Sequence, residues 1–351
     1  MKILLISNMY PSPDNPEFGI FVANIVNDLE SNGYRIEKCV RTRKGNNKTE
    51  KILSYFFFYI NVLYHLIFHR YDYAYCHYVS HTSLPLLFAK ALCRKIRVVS
   101  HVHGGDVKLL TGRNAYFHKI KEFLTKRILA ISVTIVCPSE HYAGFLREKY
   151  NLSSSDVVIY PSGGVKQCFS YSEKEVPRTS NLRIGYAGRL VKSKNVDLII
   201  SAVAIFNNIH LSIVGDGEEE QYLYALAKNS KAKIEFNGPL SHNQLAHWFK
   251  NIDILIYPSD SESLGLVPLE AMSTGVYCIL SDIPAFREFS DKGLVFSFLK
   301  NIDTSSIRDE IISFNSKDEI EMRKIMQKNS LIVNEFYGSE SLKGRLNDVF
   351  R

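Results

Sequence analysis

The sequence predicts an α/β protein built from two doubly wound domains, each a parallel sheet with helices on both faces. Three observations predict it. Short apolar runs alternate with longer amphipathic segments along all 351 residues. That strand–helix rhythm stops once, in the Ser-, Gly-, Pro- and charge-rich stretch PSGGVKQCFSYSEKEVPRTS, and then restarts. The length, with 46% hydrophobic and 23% charged residues, serves one large domain or two ordinary ones and excludes a disordered or low-complexity chain.

The first apolar run, Ile3–Ser7, reads as a buried strand and not as a signal peptide, because Ser7 and Asn8 break it, prolines follow, and no A-x-A-like site appears. The most apolar stretch, Ile52 to Phe68, is interrupted by Ser54, Asn61 and His65 and is short for a membrane span, so nothing is expected to cross a bilayer. With its aromatic content and basic flanks it reads either as a buried core helix or as an interfacial helix at the inner membrane face, where a lipid-linked acceptor is met. Strands follow at Ile96–His101, Thr134–Cys137 and Val157–Tyr160, closing a first domain over 1–165. A linker over 166–181 leads to a second domain over 182–330.

That second series runs LRIGYAG, a helix over Asn195–Phe206, LSIVGDG, a helix from near Glu218, IEFNG, a helix near Ser241–Lys250, and DILIYPS. A C-terminal helix over 331–351, with no strand after it, is expected to cross back to the first domain. Two such units, whose C-terminal strand edges bind ligands, predict an active site in a cleft between them.

Charge is uneven. Residues 1–175 carry nine more Lys and Arg than Asp and Glu, while residues 176–351 carry two fewer. A basic half suggests an anionic partner such as lipid headgroups, nucleic acid or a phosphorylated substrate, or else a lysine-rich solvated surface. Nucleic acid is disfavoured, because no basic run with interleaved aromatics accompanies the charge. Six cysteines, Cys39, Cys76, Cys93, Cys137, Cys168 and Cys278, contain no CxxC pair, which argues against a disulfide framework and a zinc knuckle and for a reducing, cytoplasmic compartment.

The most specific motif is PSDSESLGLVPLEAMSTG, residues 258–275. Pro268 suits the first turn of a helix that Gly275 ends, which puts Glu270 on the helix and Glu262 in the loop before it. Gly265 and Leu266 then offer backbone N–H groups near a helix N-terminus, which bind a diphosphate without a metal. GRLVKSKN sets Arg189 and Lys194 near the C-terminal edge of the second domain's first strand, where two cations neutralise a phosphate leaving group. Each has a plainer reading: a dipole-favoured Glu262/Glu270 pair, surface cations, and a tight turn at Gly215, Asp216 and Gly217. His101 and His103 alternate at a strand end, so they are expected on opposite faces and not on a shared metal. His77 and His81 read as structural or acceptor-site residues. No carboxylate–histidine set at metal-ligand spacing appears.

Taken together, YPSPDNPEFGIFV near the start, HVHGGDV at 101–107, CPSEH at 137–141, YPSGGV at 160–165, GRLVKSKN, IVGDG and the spaced glutamates resemble the retaining, nucleotide-sugar-dependent glycosyltransferases of the GT-B fold, family 4. The resemblance runs over nearly the whole chain. It implies that Glu270 holds the ribose hydroxyls, Glu262 meets the donor sugar, and Arg189 and Lys194 hold the diphosphate. It also implies that Gly19 lets the N-terminal domain approach the phosphates and that His103 sits near the reacting sugar. Implied too are transfer to a glycan or lipid-linked acceptor with an α-configured product, no metal or other cofactor, and work in polysaccharide or glycolipid assembly. The chain departs from the family at Phe18, Ser162, Lys166 and Leu264, where Gly, Asn, Asp and Phe respectively are common. Two rivals are a sugar-nucleotide 2-epimerase of similar fold and a non-catalytic sugar-nucleotide-binding protein.

Overall fold

A computed structural model of the chain describes residues 1–15, 18–43, 45, 47–92, 95–107, 115–152, 157–173 and 182–351. It divides into two compact units, Met1–Gly163 with Leu342–Arg351, and Gly164–Ser341.

The first unit alternates strand and helix: β1 (Lys2–Ser7), α1 (Ile20–Ser31), β2 (Arg35–Val40), α2 (Lys48–Phe68), β3 (Tyr73–His77), α3 (Val79–Leu92), β4 (Val98–His101), α4 (Gly104–Val107), α5 (Ala115–Ile131), β5 (Ser132–Cys137), α6 (Glu140–Tyr150) and β6 (Val157–Ile159). The six strands pair in parallel in the order β2-β1-β3-β4-β5-β6. A parallel sheet needs cover on both faces, and the period of two along β1 supplies two apolar sides. Ile3 and Leu5 pack with Val22, Ile25 and Leu29 of α1, while Leu4 and Ile6 join the core on the opposite face with Phe58, Val62 and Leu66 of α2.

Four strands had no counterpart in the sequence reading: β2 and β3 here, and the second unit's strands over Tyr277–Ser281 and Ser297–Leu299. The apolar stretch from Ile52 is also longer than its composition suggested. Asn47 caps it by accepting the Glu50 N–H at 2.8 Å, and the resulting helix has 21 residues, long and apolar enough to cross a membrane by length and composition. Phe58, Val62 and Leu66, spaced by four, nevertheless bury one of its sides in the unit's core.

The second unit continues with β7 (Leu182–Ala187), α7 (Val196–Val203), β8 (Ile209–Val214), α8 (Glu220–Ala227), β9 (Lys233–Phe236), α9 (His242–Phe249), β10 (Ile254–Tyr257), α10 (Leu266–Ser273), β11 (Tyr277–Ser281), α11 (Pro284–Asp291), β12 (Ser297–Leu299), α12 (Thr304–Asn315) and α13 (Glu319–Tyr337). Its parallel sheet has the order β12-β11-β10-β7-β8-β9, so the winding reverses between β10 and β7. A reversal of this kind opens a crevice at the C-terminal strand ends.

Two sequence expectations need correction here. The helix expected over 331–351 is three: α13 stops at Tyr337 in the second unit, α14 (Ser339–Leu342) follows, and α15 (Arg345–Asp348) packs Leu346 into the first unit's core with Val349 and Phe350. Extended backbone at Gly338 interrupts the helical period. The linker expected over 166–181 is part of the second unit as far as it is described. Phe169 is buried and its carbonyl accepts from Ser273 Oγ at 2.6 Å, while Val165 exchanges backbone hydrogen bonds with Tyr337 and Ser339. Its residues 174–181 lie outside the described residues. Cys39, Cys76, Cys137, Cys168 and Cys278 are free thiols; Cys93 lies outside the described residues.

The loops after β7 and β8 are stitched together by Gly188 N–H to Val214 O at 3.0 Å and Leu190 N–H to Asp216 O at 2.7 Å. Gly215 sits under this crossing at φ +125°, and a Cβ there meets Gly188 O at 1.9 Å. Gly215→Ala is expected to cost about 2 kcal/mol, from backbone strain plus overpacking. In a unit of this size that is a Tm drop of about 4–8 °C. Gly238, also at positive φ but with open space at its Cβ, is the control: Gly238→Ala should cost about half as much. Equal melting shifts for the two would mean that the close approach to Gly188 contributes nothing to the cost.

Candidate active site

The strand reversal between β10 and β7 brings two loops together. The loop after β7 forms a 3-10 turn over Lys192–Lys194, and Asn195 follows in the left-handed region at φ 53°. Asn195 Nδ2 donates to Pro258 O at 2.9 Å and to Asp260 Oδ1 at 2.6 Å, while Asp260 N–H donates to Ser193 O at 3.0 Å. These bonds pin the loop after β7 to the loop after β10. As a result Lys194 Nζ meets Glu262 Oε1 in an ion pair whose side chains are 12% and 15% exposed.

Below the pair lies Tyr257, at the end of β10. The Lys194 ammonium stands 5.3 Å from its ring centroid, and its hydroxyl donates to Glu262. Tyr186 stacks on Tyr257 at 5.6 Å and 15°, and its hydroxyl donates to Arg189 O at 3.0 Å. Burial, with the Glu262 charge second, holds the Tyr257 hydroxyl well above the usual phenol range, so it stays a donor at neutral pH. Arg189 is exposed. The structure thus joins Lys194 and Glu262 directly and sets Arg189 at the rim of the same strand end.

Gly265 is the N-cap of α10 at φ 93°, and a Cβ there would meet Phe286 Cε1 at 2.5 Å, so both the turn and the packing demand glycine. Leu266 begins the helix, and the N–H groups of its first turn have no intrahelical acceptor. Glu270 lies one turn on, 6% exposed. Burial pushes its carboxyl up to about 8, with the charge of Lys166 working in the opposite direction. Lys166 in turn stands 3.5 Å from His242 Nδ1 at the start of α9. A neutral, buried carboxyl faced by a lysine is poised to ionise when hydroxyl donors arrive.

In the first unit, Gly19 caps α1 at φ 78°, with Met9 backbone 2.7 Å from where a Cβ would stand. His103 lies past the end of β4, and its carbonyl accepts from Tyr142 Oη at 3.3 Å. The expectation that His101 and His103 point to opposite faces is corrected: β4 ends at His101, so strand alternation no longer applies, and the two rings stack at 4.5 Å and 15°. His77 completes the cluster, its Nδ1 3.1 Å from His103 Nε2. The ligand atoms of the three rings lie within 4.8 Å of one another, a grouping the sequence reading did not foresee. The rings lie within 15–36° of parallel, so their in-plane lone pairs run side by side and a shared ion would require the rings to turn. Burial pushes the His103 imidazole down to about 3 and holds His77 and His101 well below the usual range, so all three are neutral hydrogen-bonding groups. His81 is not in the cluster; its ring stacks on Tyr55 of α2 at 6.3 Å.

Comparison with known proteins matches the chain in two blocks, the Glycosyltransferase Family 4 model over residues 19–163 and the Glycosyl transferases group 1 model over residues 170–331. The chain belongs to the family 4 glycosyltransferases. One relative of this glycosyltransferase is the O-antigen biosynthesis glycosyltransferase WclY of Escherichia coli, 26% identical over 187 residues. That match takes in 53% of the chain and 50% of WclY, so the chain spans about half the length of that relative. Among solved structures, the sucrose-phosphate synthase of Thermosynechococcus elongatus superposes with a TM-score of 0.81 at 15% identity, over 100% of this chain and 98% of that one. Anabaena HepE, solved in complex with UDP-glucose, superposes at 0.72 and 15% identity over 99% and 98%. The enzyme is a transferase with the two-domain α/β GT-B fold.

Sequence reasoning missed several groups of this candidate site. Tyr257 read only as the end of an apolar strand, though a tyrosine directly before the Pro258 loop is a detectable signal. Asn195 was visible as the end of GRLVKSKN, but its clamp to Pro258 and Asp260 depends on a contact 63 residues away. His242 gave no signal of its proximity to Lys166.

Proposed function

We propose that the chain is a retaining glycosyltransferase that moves a sugar from a nucleotide-diphosphate sugar to a hydroxyl of a glycan or lipid-linked acceptor, giving an α-configured product, in cell-surface polysaccharide or glycolipid synthesis. The observation that carries this reading is the Lys194–Glu262 pair beside the N-terminus of α10, with buried Glu270 one turn along the same helix. A cation, helix N–H groups and a carboxylate set along one strand edge match, in order, a diphosphate and the hydroxyls at its two ends.

In this reading Glu270 accepts from the ribose hydroxyls, and Arg189, Lys194 and the N–H groups of Gly265 and Leu266 take up the charge of the departing diphosphate. Glu262 and the neutral His103 orient the sugar, and Gly19 permits close backbone approach to the phosphates. The acceptor hydroxyl attacks C1 on the face the diphosphate leaves, the C1–O bond to the diphosphate breaks, and the hydroxyl proton passes to the departing phosphate oxygen. The neutralising charge comes from side chains and backbone, so turnover without added metal is expected. The enzyme would act in the cytoplasm at the inner membrane face, where lipid-linked acceptors are met.

A panel of UDP-, GDP- and ADP-sugars, followed by calorimetry and by nucleotide release in EDTA, tests the reading. The UDP-glucose complex of HepE makes the UDP-sugars the first to try. Micromolar binding of one donor, slow release of its diphosphate and an α-configured product are expected. Interconversion of the donor with its C2 epimer would instead establish the epimerase, and binding without release would leave a non-catalytic sugar-nucleotide binder.

A further inference from the structure

We infer that the face of the first unit formed by α2 and α3 docks on an anionic lipid bilayer, lying flat on the surface and not spanning it. The inference deepens the proposed function by naming the surface and the chemistry of the partner that bring the enzyme to a lipid-linked acceptor.

The face is apolar where soluble proteins are ordinarily polar. Along α2, Ile52, Phe56, Phe57, Ile60, Tyr64 and Phe68 are exposed, with Phe57 at 65% and Phe68 at 71%. Ile52, Phe56, Ile60, Tyr64 and Phe68 follow at four-residue steps, with Phe57 beside them, and form one broad band along the full helix, about 30 Å at 1.5 Å per residue. Phe58, Val62 and Leu66 point the other way, into the core. The neighbouring helix repeats the pattern. Leu84, Phe88 and Leu92 of α3, spaced by four, are 53%, 57% and 62% exposed, and α3 packs against α2. Exposed apolar stripes on two helices that pack against each other are more than the scattered single residues of an ordinary surface, and mark a binding surface.

Charge selects the partner. From Lys51 to Arg70, and again from Val79 to Leu92, the sequence contains no Asp or Glu. Lys48 and Lys51 stand exposed at one end of the α2 stripe, with the exposed Glu50 between them engaged by the Asn47 amide, and Arg70 stands at the other, so the stripe's two ends keep a net positive charge. A shallow crevice of 440 Å³ between Lys48, Lys51, Ile52, Tyr55, Phe56 and Tyr59 puts an apolar floor beside two ammonium groups, as an acyl chain below a phosphate headgroup requires. Apolar side chains inserting at the level of the acyl chains, with cations at the rim, form the interfacial pattern for anionic membranes. A second copy of the same face would bring like charges together. A spanning arrangement would pull Phe58, Val62 and Leu66 out of the core.

The test is flotation of the whole purified protein with vesicles of phosphatidylglycerol and phosphatidylcholine, and with phosphatidylcholine alone. Most of the protein should float with the anionic vesicles and little with the neutral ones. Phe56→Asp/Phe57→Asp should cut the floated fraction about tenfold, as should Leu84→Asp/Phe88→Asp on the other stripe. All four side chains are exposed, so melting curves should match the wild type and separate lost docking from lost folding. Wild-type protein that stays at the bottom with anionic vesicles overturns the inference, as does flotation that survives both double substitutions. A dimer in sedimentation without vesicles, dissolved by the same substitutions, overturns it in favour of a second copy. Donor hydrolysis measured without vesicles keeps the two readings apart: its failure with intact flotation sinks only the transferase chemistry, and the reverse sinks only the docking face.

Discussion

Lys194→Ala should lower kcat/KM for the donor by about a thousandfold, roughly 4 kcal/mol of transition-state stabilisation. The expectation follows from where the ammonium is held. It is 12% exposed, paired with Glu262 and placed over the Tyr257 ring, so its charge acts in a site poorly screened by water. Arg189→Ala should cost turnover of the same order, because in the proposed function departure of a diphosphate calls on both cations. The two variants should part in stability. Removing Lys194 leaves the 15% exposed Glu262 carboxylate without its cation, which is expected to cost about 1–3 kcal/mol and lower Tm. Arg189 is exposed, so Arg189→Ala should melt like the wild type. Lys194→Ala/Glu262→Gln should recover the lost Tm and none of the lost turnover. Lys194→Ala with near-wild-type kcat/KM would refute the placing of the diphosphate.

The second unit was legible in the sequence because its chemistry is local. Glu262, Gly265, Leu266 and Glu270 fall within nine residues of one strand–loop–helix, and the glycine and proline that set the turn stand among them. Four of its six strands, β7 to β10, are legible as short apolar runs with clear ends, while β11 and β12 are not. The first unit was harder. β2, RIEKCV, is an edge strand whose side chains are mostly only half-covered, so its sequence carries charge and hides the strand period. β3, YAYCH, is fully buried, but two tyrosines and a histidine do not read as a core strand. Its polar atoms are accommodated by partners that only the fold supplies, such as Tyr75 Oη beside His101 Nδ1 at 2.7 Å.

The same cause hid the histidine cluster. His77 and His101 face one another because β3 and β4 are neighbours in register. His103 joins them only because β4 stops two residues before it. Alternation along a strand holds only while the strand lasts, and β4 ends two residues short of His103. The linker was misjudged for a related reason: composition averages over a segment, and a single buried Phe169 outweighs the Ser and Gly around it.

Donor affinity should rise with pH up to about 8 and then level off, and Glu270 is the reason. Burial holds its carboxyl neutral at pH 7, with the ordinary value near 4.5 raised to about 8. In the proposed function two ribose hydroxyls donate to Glu270, and they donate best to a carboxylate, so donor binding is expected to favour the ionised form and release a proton. If only that form binds, affinity grows roughly 50-fold between pH 6 and pH 8. The ligand-free protein should move the other way. A folded-state value above the unfolded one means that the folded chain holds the extra proton between pH 4.5 and 8, so the Glu270 contribution to stability is complete below that window. It is lost as pH rises through the window, by about 1.4 kcal/mol per unit. Glu270→Gln isolates both effects, since titration of the donor's own phosphates is common to the two proteins. The variant should bind weakly, show no Glu270-dependent rise and release one proton fewer in calorimetry across buffers of different ionisation heat. Equal proton release by wild type and Glu270→Gln would mean that the ribose hydroxyls are held elsewhere, leaving the buried carboxyl as a support for α10 alone.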